Sequence, residues 1–165
     1  MSTTADDESY TDEEVEIFRE GATMALYVSL SLLAALAVLP KAETRGDRVL
    51  AVALTSIGLL LAHWLAFRIT SNFNLTELKT VEGLKVLAAQ LAGGLVVTAV
   101  AVLPILITPT DAGAGFSAGL LLLLVSAVSY NAARASGKSR AASLVYVGII
   151  IAASLAVVAL KSASH

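Results

Sequence analysis

Apolar residues gather in five long runs along this chain, and charged residues separate the runs from one another. Each run is close to the roughly 20 apolar residues that an α-helix needs to cross about 30 Å of hydrocarbon. A helix satisfies its own backbone hydrogen bonds within one such segment. The pattern therefore predicts an all-α integral membrane protein with a five-helix transmembrane bundle. The uncharged runs are 21–40, 49–67, 86–110, 112–133 and 141–160.

Capping patterns and turn residues set the expected ends of the helices. Thr11 with Glu14, and Asn74 with Glu77, have the spacing of a capping box, which predicts helix starts near residues 11 and 75. The first predicted helix is thereby extended N-terminally outside the membrane. The expected organisation is an acidic disordered tail at 1–10, one transmembrane domain at 11–161 and a C-terminal tail at 162–165. The expected helices are 11–40, 48–70, 75–108, 113–135 and 140–161.

The extension of the first predicted helix is acidic and amphipathic. Val15, Phe18 and Ala22 recur at helical spacing and predict one apolar face. Such a segment is suited to docking a partner with a basic surface. The acidic side chains that we expect on the opposite, solvated face are Asp12, Glu13, Glu16 and Glu20.

Composition agrees with a membrane environment and excludes several classes of function. Apolar residues make up 57% and charged residues 15%, and the mean hydropathy is +0.82; an ordinary soluble domain has about 45–50% and about 25%. We therefore expect membrane lipids around the bundle. The absence of cysteine excludes disulfides and thiolate metal sites. No basic patch suggests a nucleic-acid partner, and the acidic leader lacks the basic segment that opens a secretory signal peptide.

The distribution of Lys and Arg predicts an orientation in the membrane. Short cytoplasmic loops are enriched in these residues. Seven of them fall at the N-terminus and in the loops after the second and fourth runs, against four on the other side. The count favours a cytoplasmic N-terminus, although the loop after the first run carries three bases and works against it. The membrane that we expect is the plasma membrane.

Polar residues on several predicted helices fall in the same leaflet. His63 lies five residues inside Arg68, about 7–8 Å deeper at 1.5 Å per residue, and Gln90 lies five residues inside Lys85. These residues form either a functional site or hydrogen-bonded contacts between helices. Imidazole ordinarily changes charge between about pH 5 and 8, so a hydrated His63 predicts pH-dependent behaviour. The candidate polar cluster is His63, Gln90, Tyr130, Asn131 and Ser56.

Other motifs favour structural roles. Trp64 and Arg68 are four residues apart, can stack, and are expected to anchor a helix at the membrane interface. Ser117 lies in a G-x-S-x-G pattern, but it opens a predicted helix and belongs to the leaflet opposite His63, which excludes a catalytic pair. Small residues recur at helical spacing, which favours close packing within the chain or between subunits. These stripes include Gly115 and Gly119, Ala89 and Gly93, Gly58 and Ala62, and Gly148, Ala152 and Ala156.

No reaction is suggested by this residue set, and we expect no enzyme, cofactor or metal site. None of the five runs contains a carboxylate, which argues against transport coupled to a buried Asp or Glu. The two histidines, His63 and His165, belong to opposite sides. The favoured hypothesis is a small oligomeric channel or carrier for an ion or small solute. The alternative is a non-transporting accessory or scaffold subunit that docks a membrane-protein partner through its acidic N-terminal helix.

Overall fold

The computed structural model describes residues 12–38, 44–71 and 81–163, and these ranges form five α-helices. The expected tail at 1–10, the capping pair at Asn74 and Glu77, and the helical lead-in at 75–80 lie outside the described residues. The helices are α1 (Asp12–Val38), α2 (Arg45–Ser71), α3 (Val81–Ile107), α4 (Thr110–Ala135) and α5 (Arg140–Ala163).

Helices α1 and α3 form the centre of the bundle. Helix α1 contacts each of the other four helices, and its contact with α3 is the most extensive in the molecule. Helix α2 packs against both, while α4 and α5 cover the opposite side. The core is apolar and draws side chains from four helices. Its fully buried members include Val28, Leu32, Val52, Val97, Ile105 and Leu121.

Glycine permits the close approach of α1 to α3. A Cβ atom on Gly93 would collide with the carbonyl oxygen of Gly21, and a Cβ on Gly21 would lie 3.1 Å from the carbonyl oxygen of Ala89. Both obstacles are backbone atoms and cannot rotate away. The expected small-residue stripe on the third helix therefore packs within the chain. This contact fixes the register of α1 against the part of α3 that carries Gln90.

Local hydrogen bonds determine where the later helices begin and end. Thr44 and Asp47 form a capping box, with the Asp47 amide donating to Thr44 Oγ1 (3.3 Å) and the Thr44 amide to Asp47 Oδ2 (3.2 Å). Helix α2 therefore begins at Arg45, before the expected residue 48. Between α4 and α5, Gly137 has φ +76°, a left-handed conformation that suits a glycine after a helix.

Four helices, α1 to α4, are long and apolar enough to cross a membrane. In α5 the described apolar stretch is shorter and covers Arg140–Ala156. Large apolar side chains are exposed on all five helices. The exposed series on α2 recurs every three or four residues along the whole helix, so one of its faces is apolar and uncovered by the described parts of the chain. That series is Leu50, Leu54, Ile57, Leu61, Leu65 and Ile69.

Candidate functional site

A chain of hydrogen bonds joins three helices at the end of the bundle where α2 finishes and α3 begins. His63 Nε2 on α2 lies 3.0 Å from Gln90 Oε1 on α3. Gln90 Nε2 in turn donates to Glu20 Oε2 on α1, also at 3.0 Å. Gln90 is 6% exposed, so its amide is held inside the bundle while it bridges the other two side chains. We call these three residues the Glu20–Gln90–His63 chain.

The donor and acceptor roles along this chain are fixed by the ionised carboxylate. A carboxylate only accepts hydrogen bonds, so it must face the NH2 group of Gln90. The amide oxygen of Gln90 then faces His63, and Nε2 of His63 must carry the hydrogen. In the neutral ring, Nδ1 is consequently the nitrogen that accepts. The arrangement leaves His63 with one unprotonated nitrogen available to another donor.

A cavity of about 370 Å³ lies beside the chain of hydrogen bonds. Small-molecule sites commonly have volumes of about 300–1,000 Å³. We call this cavity the Glu20 cleft. Its lining combines the three polar groups with a hydroxyl, an aromatic ring and small apolar side chains. The lining residues are Glu20, Thr23, Met24, Tyr27, Ala62, His63, Ala66 and Gln90.

The negative charge of the Glu20 carboxylate is neutralised only weakly by its cationic neighbour. Among the described residues, the cationic side chain within ion-pair distance of this carboxylate is Arg19, whose Nη2 lies 3.9 Å from Glu20 Oε1. Arg19 has 70% of its side chain exposed, against 30% for Glu20, and exposed ion pairs of this kind contribute little. The cleft therefore contains a carboxylate that a bound cation could approach.

The expectation that Glu20 points into solvent is wrong. Its carboxylate faces α3 because Gly21 and Gly93 bring the two helices into close contact beside it. The predicted polar cluster also lacked a carboxylate, and Glu20, which lies immediately before the first uncharged run, joins it through its hydrogen bond with Gln90. The amphipathic pattern of one helix places Glu20 among other acids, whereas its partner lies 70 residues away on α3.

The structure brings together two members of the predicted polar cluster, His63 and Gln90. Tyr130 and Asn131 on α4 are not among the residues that line the Glu20 cleft, and Asn131 Nδ2 donates to the Ala127 carbonyl of its own helix. Ser56 is 1% exposed, and its hydroxyl has no hydrogen-bond partner in the described part of the chain. A functional role for these three residues stays a prediction.

The motifs assigned to structure have identifiable contacts. The guanidinium carbon of Arg68 lies 5.4 Å from the centre of the Trp64 ring, a cation–π distance; anchoring at a membrane interface stays a prediction. Ser117 is fully buried and donates to the Ala101 carbonyl of α3 at 2.6 Å. Added Cβ atoms on Gly58, Gly115, Gly119 and Gly148 would meet nothing within 4 Å among the described residues, so these glycines do not mediate close packing there.

No protein-family model, curated protein or solved structure matches this chain.

Proposed function

We propose that this protein spans a membrane five times and acts as a small channel or carrier for an ion or small polar solute. The observation that carries the proposal is the Glu20–Gln90–His63 chain beside a cavity of about 370 Å³. Ionisable side chains are costly within a membrane and commonly mark solute or ion pathways there. One hydrogen bond would be enough to join two helices. The site instead contains a carboxylate, an amide and an imidazole from three helices.

The surface of the bundle supports the membrane assignment. Soluble monomers rarely expose contiguous apolar patches of more than a few hundred Å², yet one face of α2 is apolar from Leu50 to Ile69. Lipid tails would cover that face without a partner protein. The described apolar stretch of α5 is the shortest, and we propose that its full length, Arg140–Ala163, forms the fifth span. The excess of Lys and Arg on the N-terminal side supports a cytoplasmic N-terminus, and we propose the plasma membrane as the location.

Assembly into a homo-oligomer is the second part of the proposal. Gly58 on α2 and Gly148 on α5 have open space where a side chain would lie, and Ala62 and Ala152 on the same helices are exposed. Small residues facing outward let a second helix backbone approach closely in lipid. The stripes on α2 and α5 are therefore candidate contact surfaces between copies, whereas Gly93 on α3 is used within the chain.

Reconstitution into liposomes tests the transport proposal. Stopped-flow light scattering would follow entry of small ions and polar solutes, with ethylammonium, potassium, glycerol and acetate as probes. We expect one or more probes to enter faster than in protein-free liposomes. Gln90→Leu removes both hydrogen bonds of the bridging amide and should abolish the difference. Ser136→Leu is the control, because it also replaces a hydrogen-bonding side chain by leucine, at an exposed position outside the cleft.

The outcomes of this test are distinct. Permeation that Gln90→Leu abolishes and Ser136→Leu preserves supports a solute path through the Glu20 cleft. Permeation that both variants retain would contradict the cleft as the path. If none of the probes enters faster than in protein-free liposomes, the transport proposal is wrong for these solute classes.

An accessory or scaffold subunit is the second candidate function, favoured by the start of α1. Phe18 is 75% and Val15 54% exposed, and Glu14 and Glu16 are exposed beside them. An apolar strip edged with acids fits a partner with a basic, amphipathic surface. A photo-crosslinking residue at position 18, placed in the native membrane, should then capture one defined protein. Glu16→Gln should reduce the yield, and high salt should do the same.

A further inference from the structure

We propose that the Glu20 cleft binds a primary ammonium group, carried by a small free amine or by the ethanolamine headgroup of a lipid. This inference rests on the proposed function in one respect, namely that the cleft is a solute site. It adds the chemical class of the ligand, which follows from the charge, the acceptor atoms and the apolar lining of the cleft.

The charge of the lining selects a cation. Among the lining residues, Glu20 supplies a formal charge of −1, and the neutral ring of His63 and the amide of Gln90 add none. Arg19 approaches the carboxylate only to 3.9 Å from a largely exposed position. A ligand cation in the cleft would replace a weak, solvated contact with a charge-assisted hydrogen bond, which is shorter and stronger.

The acceptor atoms favour an ammonium with hydrogens over a quaternary one. A primary ammonium has three N–H donors, as a lysine head has. Glu20 supplies carboxylate oxygens, and Thr23 Oγ1 donates to the Arg19 carbonyl at 2.8 Å, so its lone pairs still accept. Nδ1 of His63 is the remaining acceptor, because Nε2 is used by Gln90. Three kinds of acceptor thus match three donors.

The rest of the lining suits a short alkyl chain next to the charge. Met24, Ala62 and Ala66 supply apolar surface, and the ring of Tyr27 also lines the cleft. An aromatic face attracts a cation within about 6 Å of its centre. These side chains would hold the ethyl part of ethylamine or ethanolamine.

A divalent metal fits this lining less well than an ammonium. Ca²⁺ takes six to eight oxygen ligands, and Mg²⁺ requires near-octahedral geometry. In the ranges that the structure describes, no group of three or more His, Asp or Glu side chains lies together. Glu20 and His63 are separated by a neutral amide that already uses its oxygen for His63. One carboxylate with neutral acceptors is the donor set of an amine site.

Calorimetric titration of the full chain tests the proposal in phosphatidylcholine nanodiscs at pH 8. Ethylammonium chloride is the probe, with tetramethylammonium chloride and ethanol as comparisons in the unaltered protein. We expect ethylammonium to bind at least tenfold more tightly than either. Equal affinity for ethanol would overturn the cationic assignment, and equal affinity for tetramethylammonium would overturn the assignment to a primary ammonium. These comparisons need no variant that might fold differently.

Two matched variants locate the site. Glu20→Gln removes the charge but keeps an oxygen that can accept from Gln90, and it should weaken ethylammonium binding at least tenfold. Glu16→Gln makes the same change one turn earlier on α1, where the side chain is exposed, and should leave binding unchanged. Unchanged binding in Glu20→Gln, in protein whose Trp64 fluorescence shows a native fold, would overturn the proposal.

A comparison of nanodiscs with two lipid compositions identifies the source of the ammonium group. In nanodiscs that contain phosphatidylethanolamine, a lipid headgroup in the cleft should compete and weaken ethylammonium binding several-fold; unchanged affinity identifies free amines as the source.

Failure of the transport proposal gives a different set of results from failure of the ammonium site. If ethylammonium binds but none of the four probes enters faster than in protein-free liposomes, the transport proposal is contradicted and the ammonium site stands. Permeation of other solutes without ethylammonium binding would overturn the ammonium site alone.

Discussion

Gln90 is the residue on which the polar site depends, because it makes one hydrogen bond to Glu20 and another to His63. A buried amide with both ends used holds its neighbours in one orientation, and loss of either bond would leave a buried polar group unpaired. Glu20 and His63 are less buried and can meet water or a ligand from the cleft. Gln90 therefore positions the site, while the other two provide its chemistry.

The charge state of His63 should control cation binding. Glu20 on α1 reaches the ring through Gln90 and has Arg19 beside it. Tyr27 also lines the cleft, and Arg68 lies on the same helix as His63. Protonation of the ring adds a positive charge and removes the acceptor at Nδ1, so ethylammonium binding should weaken with falling pH.

His63→Gln removes the ionisable ring but keeps a group that bonds to Gln90. It should flatten the dependence of ethylammonium affinity on pH. Calorimetric affinities at several pH values check both proteins. A profile that keeps its slope in His63→Gln would assign the pH dependence to another group and contradict this role of His63.

Two buried serines should differ in their contributions to stability. Ser117 Oγ donates to the Ala101 carbonyl of the neighbouring helix at 2.6 Å, whereas the buried Ser56 hydroxyl has no partner in the described ranges. Ser117→Ala should lower the free energy of unfolding by about 0.6–1.5 kcal/mol. Ser56→Ala should change it by less than about 0.5 kcal/mol, because no bond is lost. Unfolding in a detergent titration, followed by Trp64 fluorescence, checks the pair; equal effects would contradict the assignment.

The contact between α1 and α3 places Glu20 opposite Gln90, and glycine makes that contact possible. Gly93 lies against the backbone of Gly21, less than one helical turn beyond Gln90. Neither helix can move away alone, because each also packs against other helices. The polar chain thus depends on a pair of residues that have no functional group.

Gly93→Ala should therefore be costly and Gly119→Ala should not. The added methyl at position 93 would meet a backbone carbonyl, and overpacking of this kind costs about 1–3 kcal/mol. At position 119 the methyl would enter open space, and alanine is the better helix former. Thermal unfolding of the two variants in the same detergent checks this difference. A Gly93→Ala protein as stable as the unaltered chain would show that α1 and α3 do not pack as described.

Long uncharged runs predict helices well. Within a membrane, a single segment can form all of its backbone hydrogen bonds only as a helix. Such runs are less informative about contacts. The distance of His63 and Gln90 from their flanking charges was enough to predict that they share a level in the bundle. Glu20 could not be found in this way, since its partner is set by the packing of two glycines on different helices. The start of α2 depended on a Thr44–Asp47 capping box within a charged segment.

The proposed topology has five spans, with the two termini on opposite sides of the membrane and the N-terminus inside. It rests on four helices of sufficient length and apolarity, on the extension of α5 to Ala163, and on the distribution of Lys and Arg. Compartment-sensitive reporters fused at residues 1 and 165 should report opposite sides. Both reporters on one side would contradict five spans, while an exchange of sides would contradict only the orientation.

Both the transport proposal and the ammonium site depend on the Glu20–Gln90–His63 chain. This chain requires the hydrogen of the neutral His63 ring to lie on Nε2. Nitrogen-15 NMR of histidine-labelled protein in nanodiscs at pH 8 distinguishes the two neutral forms of the His63 ring, with His165→Gln used to assign the signals. We predict hydrogen on Nε2 and a bare Nδ1, with a mixture of both forms appearing in Gln90→Leu. A ring protonated on Nδ1, or a spectrum that Gln90→Leu leaves unchanged, would show that Gln90 does not join His63 to Glu20.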